Sequence, residues 1–188
     1  MLHLLSSRKS EVTNKTGLKI TPWQSSHPNF IRLLRQVLPI EARCFSRLHW
    51  TESNFLETFK LDGVAGAVAF RGKTTAGYLI LYTVADETEI INLVVDEPLR
   101  RQGIGKSLID YAAGVAAACG SKRLVANVRE TNLDGQLFMK KQGFECVKID
   151  PEYFRNPGES KKWVFEPSYY MMRGSAEAKA RIRQGAKR

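Results

Sequence analysis

Cysteine and histidine are scarce in this chain, and their placement excludes several chemistries. Of 188 residues, three are cysteine (Cys44, Cys119, Cys146) and three are histidine. No two cysteines stand at C-x-x-C spacing, and His3, His27 and His49 have no ligand spacing. The sequence therefore predicts reduced thiols, no disulfide framework and no metal site. Long apolar runs are missing too: none nears the roughly 20 residues of a membrane-spanning helix. The opening MLHLLSSRKS has too short an apolar stretch for a secretory signal, and its charge follows that stretch instead of preceding it. A cytoplasmic protein without a membrane partner is the expectation. Negative charge is also short, with 19 Asp and Glu against 29 Lys and Arg, a formal net charge of +10. Part of the excess sits in the tail GSAEAKARIRQGAKR (174–188), read as a basic, disordered terminus. The alternative is an electrostatic contact with an RNA-rich or acidic assembly. No nucleic-acid motif or aromatic interleaving accompanies it.

What is present is enough apolar residue, 43% of the chain, to bury one ordinary core. One domain is expected over 18–173, between a polar leader (1–17) and the tail. LKIT (18–21) reads as a short strand. A helix follows over about 28–45, where Phe30, Leu33, Leu34, Val37 and Leu38 share a face and Pro39 kinks or ends it. TESNFLETF (51–59) has the signature of a capped helix. GVAGAVAF and TTAGYLILYTV, joined by RGKT, form an antiparallel hairpin, and TEIINLVV adds a further strand. A helix over about 103–119 buries Ile104, Leu108, Ala112, Val115 and Cys119, and Gly120 caps it. KRLVANVRE (122–130) reads as a strand, 132–142 as a short helix opened by Thr131 or Asn132, and FECVKI and KKWVFEPSYYMM as two last strands. The fold class is α/β: a mixed, twisted sheet of about seven strands with about four helices on its two faces.

The most informative stretch is VVDEPLRRQGIGKSLI. Gly103 and Gly105 fall in the first turn of the helix, where backbone N–H groups lack intrahelical partners. Small residues there let an anion approach the backbone, and the helix dipole and the arginines favour phosphate. The turn has the chemistry of a pyrophosphate cradle. It matches neither GxxxxGK[ST] nor GxGxxG. Taken alone, Arg-x-x-Gly-x-Gly could also be an ordinary strand-to-helix turn.

That stretch resembles the first signature of the GNAT superfamily of N-acetyltransferases, R/Q-x-x-G-x-G/A, with Arg100, Gly103 and Gly105 at its defining positions. VRETNLDGQLFMKKQGFE resembles the second, with Asn132, Gly143 and Phe144 in place. IEARCFSRLHWTESNF is similar to the start of the ribosomal-protein-alanine acetyltransferase branch. The resemblance covers about 18–173 and implies acetyl-CoA as co-substrate. By family position Leu93, Val94 and Val95 would bind the pantetheine arm through strand-like backbone bonds. Arg100, Arg101, Gln102, Gly103, Ile104, Gly105, Lys106 and Ser107 would form the pyrophosphate turn, with amides from Arg101 to Lys106. Asn132 would bond the cofactor near its pantetheine or thiol end; it also suits a helix N-cap, and the two roles are compatible.

The resemblance breaks at the catalytic positions. The branch carries a glutamate base where this chain has Asn127 and a tyrosine acid where it has Met139; an amide accepts no proton near neutrality and a thioether donates none. Glu89 stands where another branch of the superfamily carries its glutamate base, and Tyr153 resembles a tyrosine that lines the acceptor groove. Their plain alternatives are an exposed strand-end carboxylate beside Asp86 and Glu87 and a packed strand-edge aromatic. Magnitudes bear on the acceptor. An α-amine of pKa about 7.8 is roughly one-tenth neutral at pH 7, a lysine near 10.4 roughly one part in 2,500. A site with weak base chemistry therefore favours N-termini. The resemblance implies direct acetyl transfer to a primary amine, with a protein N-terminal α-amine expected. A catalytically weak acyl-CoA-binding or ribosome-docking module and a small-amine acetyltransferase are the alternatives.

Overall fold

A computed structural model describes residues 12–13, 17–157, 163–174 and 182. The strands are β1 (Val12–Thr13), β2 (Leu18–Trp23), β3 (Val64–Arg71), β4 (Thr74–Val84), β5 (Glu87–Val95), β6 (Arg123–Arg129), β7 (Glu145–Pro157) and β8 (Trp163–Gly174). The helices among the described residues are α1 (Phe30–Phe45), α2 (Glu52–Thr58), α3 (Ile104–Ala118) and α4 (Leu133–Lys141). The strands form one sheet in the order β1-β2-β3-β4-β5-β6-β8-β7. Only β5 and β6 run parallel, because the α3 crossover returns the chain to the end of the sheet from which β5 started.

Two cores cover the two faces. On one, α3 and α4 pack Ile104, Leu108, Ala112 and Met139 against Ala67, Leu79, Ile90 and Ala126. On the other, α1 and α2 cover Trp23, Val68, Tyr78 and Val94. Trp23 is fully buried and lies within aromatic stacking distance of Phe30, Phe55, Phe59 and Tyr78. Such ring contacts stabilise by about 0.5–1.5 kcal/mol each beyond burial. Thr51 caps α2, and its box is closed by Asn54, whose side chain accepts from the Thr51 N–H at 2.8 Å.

Pro39 lies inside α1, which runs on to Phe45: the proline is solvent-exposed while Ile40 and Glu41 behind it are buried, so the lost backbone bond falls on the wet side. The structure departs from the sequence reading in three places. β7 runs to Pro157, well past Ile149. Val12–Thr13, within the expected leader, pair with Ile20 and Lys19; residues 1–11 and 14–16 lie outside the described residues. Within the expected tail, Gly174 ends β8, and Ile182 packs on Val125, Val147 and Met172; the remainder lies outside the described residues. No helix among the described residues is long and apolar enough to cross a membrane.

Candidate active site

β5 and β6 pair only from Glu87↔Arg123 to Ile90↔Ala126 and then separate. The cause lies in β5. Against β4, Ile80 pairs with Asn92 and Leu81 with Ile90, leaving Ile91 as an extra residue. Such a bulge bends its strand and increases the twist, here at the point where β5 leaves β6. A wedge results, closed near Ile90 and Ala126, with residues 91–95 on one wall and 127–129 on the other. Their main-chain groups facing the gap have no strand partner.

The Arg-Gly turn stands over the open end of this wedge. Gly103 caps α3 with φ +82°, in the left-handed region that favours glycine, and the space where a Cβ would project is empty to 4 Å. Above it the first amides of α3 are available to an anion. The turn thus fits a pyrophosphate, and the wedge fits an extended chain with amide groups. Gly105 has a different reason for being small: a Cβ there would lie 3.0 Å from the Phe138 ring of α4. Close helix packing thus also favours a glycine at this position.

The other expected cofactor residues divide by which atoms remain free. Leu93 and Val95 face the α3 core and Val94 the opposite one, so only their backbones reach the wedge. Ile104 is buried and likewise offers its backbone alone. Arg100 folds back, donating from Nε to Val95 O at 3.1 Å and from Nη2 to Cys44 Sγ at 3.4 Å; it braces the strand end more than it reaches outward. Gln102 is held by Arg71 and by Pro98 O. Arg101, in left-handed conformation, is free to swing, its side chain 89% exposed and 3.9 Å from Asp134. Lys106 pairs with Asp110, and Ser107 N bonds Gly103 O within the first turn. Asn132 caps α4, accepting from Gly135 N at 2.9 Å. A Cβ on Gly135 would come within 2.6 Å of the Asn132 amide, so the small residue three positions on is what lets the cap form.

Below the closed end of the wedge, on the α1–α2 face, polar side chains converge. Glu89, opposite Tyr82 of β4, accepts from Asn127 Nδ2 at 2.8 Å, and Asn127 Oδ1 accepts from the buried Ser168 hydroxyl at 2.8 Å. Tyr153 lies near enough to Glu89 for each to shift the other's pKa. It comes from a second bulge: Asp150 pairs with Ser168 and Phe154 with Glu166, so Pro151, Glu152 and Tyr153 stand against Pro167 alone. The irregularity re-aims Tyr153 off the strand edge. The two candidates from the sequence, 64 positions apart, therefore meet, while Met139 is buried in the opposite core.

Burial raises the Glu89 pKa; the Asn127 bond opposes this, the Glu87 charge adds to it, and the Tyr153 hydroxyl opposes it again. The net result is a carboxylate of increased basicity. Tyr153 is pushed up to about 12 by burial and by the Glu89 and Asp150 charges, so near neutrality it keeps its proton. The arrangement sets a carboxylate of raised pKa and a protonated phenol near each other below the closed end of the wedge, a pair suited to acid–base chemistry.

The sequence reading missed two features. Glu41 is 1% exposed in α1, accepting from Trp50 N at 2.8 Å and from Tyr78 Oη at 2.5 Å, with Asn92 donating to that hydroxyl at 2.9 Å. Burial raises its pKa, against those bonds. Its signal was a glutamate on the buried stripe of α1. Glu166 is the second: Arg129, Thr131 and Asn156 all donate to it, which locks the turn preceding Asn132 to the β7–β8 hairpin.

Comparison with known proteins bears on the family and the fold. The model of the family described as "Acetyltransferase (GNAT) family" matches residues 34–144. The [ribosomal protein bS18]-alanine N-acetyltransferase of Escherichia coli (strain K12) is 26% identical over 120 residues, 62% of this chain and 80% of that protein. Among solved structures, the ribosomal-protein-S18-alanine N-acetyltransferase from Escherichia coli superposes with a TM-score of 0.65 at 22% identity, over 81% of this chain and 92% of that one. Ard1 from Thermoplasma volcanium gives 0.64 at 21% identity, over 82% and 96%.

Proposed function

Because the chain belongs to the GNAT acetyltransferase family, we propose that it transfers the acetyl group of acetyl-CoA to a protein N-terminal α-amine, with Glu89 as base and Tyr153 as hydrogen-bond donor. The observation that carries this is the meeting of Glu89, Asn127 and Tyr153 at the closed end of the wedge.

Acetyl-CoA supplies a thioester, an activated acyl group whose thiolate leaves readily. The residues suited to hold it are the amides from Arg101 to Lys106, the backbone of Leu93 to Val95 and the free amide nitrogen of Asn132. Glu89 accepts the proton that the acceptor ammonium must lose, directly or through one water. The freed amine then bonds to the thioester carbon, and the C–S bond breaks to release the thiolate. Its raised pKa narrows the gap to an α-amine near 7.8, so the transfer is less uphill than to an ordinary carboxylate. Tyr153 keeps its proton and can donate to oxygen or sulfur as charge develops. Little is asked of it, since expelling a thiolate of pKa about 8.5 unprotonated costs only about 2 kcal/mol at pH 7.

The relative's name, an alanine acetyltransferase of ribosomal protein bS18, supports an N-terminal acceptor on a ribosomal protein. The net charge of +10 supports one carried in an RNA-rich setting. Thiol release from acetyl-CoA in the presence of a library of N-terminal peptides, with mass spectrometry of the products, tests the reading. Release that needs a free α-amine supports it. Binding of acetyl-CoA without release from any amine would assign the chain to a non-catalytic module.

A further inference from the structure

Asn127 has both ends of its amide committed, and the direction of the chain it belongs to is fixed by chemistry. A carboxylate only accepts, so the group facing Glu89 Oε1 must be Nδ2–H; Oδ1 then faces Ser168, whose hydroxyl must donate. The chain crosses three strands on one face of the sheet and starts from a fully buried serine. Unlike an acid or an imidazole, the amide passes no proton along. It can only hold.

We propose that Asn127 is a positioning residue for Glu89: locked by Ser168, it ties down one carboxylate oxygen and leaves the other to face the acceptor amine. This rests on the reading of Glu89 as base. Freed of Ser168, the Asn127 amide can rotate and present its carbonyl to the carboxylate, replacing an attraction with a repulsion. The titratable groups around Glu89 are Glu87 on β5, Tyr82 on β4, Tyr153 on β7 and Tyr170 on β8, with Asp150 of β7 acting on Tyr153. Glu87 is ion-paired to Arg123 of β6, and Tyr153 stays protonated to about 12, so among these protein groups the acid limb of a rate profile reports Glu89. The acceptor amine's own titration is common to every variant and cancels in the comparison.

The test is the pH profile of kcat/KM for the full chain and an N-terminal peptide between pH 5 and 9. Asn127→Ala and Ser168→Ala are expected to move the acid limb up by roughly one pH unit and to lower kcat several-fold, with the KM for acetyl-CoA unchanged. Ser168→Thr, which keeps a hydroxyl, should return the limb toward its original place. An acid limb that stays put in both alanine variants overturns the positioning role. Thermal melts of each variant, together with acetyl-CoA affinity by calorimetry, separate this from misfolding, because a merely structural defect lowers the melt without moving the limb. Glu89→Gln separates the two readings. If it abolishes the limb while the Asn127 and Ser168 variants leave it alone, only the positioning role fails. If it changes nothing, the base assignment fails as well.

Discussion

Gly105 and Phe138 meet where α3 and α4 cross, so closely that a methyl group on Gly105 would lie 3.0 Å from the ring. Gly103, two positions earlier, faces open space. Substitutions at the two glycines should therefore fail in different ways. Gly105→Ala is expected to cost about 1–3 kcal/mol of stability by overpacking, read as a lowered melting temperature. Gly103→Glu should leave the fold within about 1–2 kcal/mol, the cost of a left-handed residue, yet weaken acetyl-CoA binding at least tenfold, by placing negative charge where phosphate belongs. Wild-type affinity for the Gly103 variant in calorimetry would remove the cradle.

Glu89→Gln should slow thiol release at pH 7 and recover toward high pH. The sign follows from the raised pKa of Glu89. Below it the wild-type carboxyl is protonated and cannot accept, so wild-type activity falls with pH; well above the amine's own pKa, the substrate arrives neutral and needs no base. A defect equal at all pH values would exclude proton abstraction by Glu89.

Tyr153→Phe is expected to lower kcat only about tenfold, below the usual 10²- to 10⁴-fold of acid–base contributions, because a thiolate leaves without much help. Since the hydroxyl stays protonated to about 12, wild type should show no falling limb from this group below pH 10. A limb in that range that disappears in the phenylalanine variant would contradict this.

How far the sequence carried differs between fold and site, for a physical reason. Elements set by local periodicity, such as the α3 stripe of Ile104, Leu108, Ala112 and Val115 or the Gly120 cap, were legible because each residue's neighbours along the chain decide its conformation. Glu89 and Tyr153 were legible only as separate candidates. Their meeting depends on the extra residue at Ile91 and the three residues against Pro167, and bulges leave no periodic trace. Ser168 left no signal at all, since its role exists only across three strands.

Glu166 should make the hairpin junction acid-sensitive. Burial pushes its pKa up, but the bonds from Thr131, Arg129 and Asn156 outweigh this and hold it to about 2. A depressed folded pKa contributes stability that is present above the unfolded value, near 4.3, and is lost as pH falls through the folded one. Wild type should therefore melt above Glu166→Gln at pH 7, with the gap closing between about pH 4.3 and 2. A gap of constant size across that window would mean that the carboxylate charge contributes nothing.

Acceptor choice follows from amine basicity. Two competing peptides, each with one lysine, one with a free and one with a blocked N-terminus, should be acetylated very unequally at pH 7, because the α-amine is about 0.1 neutral and the lysine roughly 0.0004. Equal transfer to the blocked peptide would reject an N-terminal preference.

The parting of β5 and β6 beyond Ile90 and Ala126 also makes folding itself a gauge of occupancy. Main-chain groups on the two walls that water satisfies poorly in a narrow slot cost about 1–3 kcal/mol each when unmet. A molecule that meets them binds the native state alone, and at a hundredfold excess over its Kd it adds about 2.7 kcal/mol to stability. The melting temperature should then climb with ligand concentration, and acyl-CoA thioesters of increasing chain length can be ranked by that climb before any acceptor is in hand. The length at which the climb stops measures how much room the closed end of the wedge leaves for the acyl group beside Glu89.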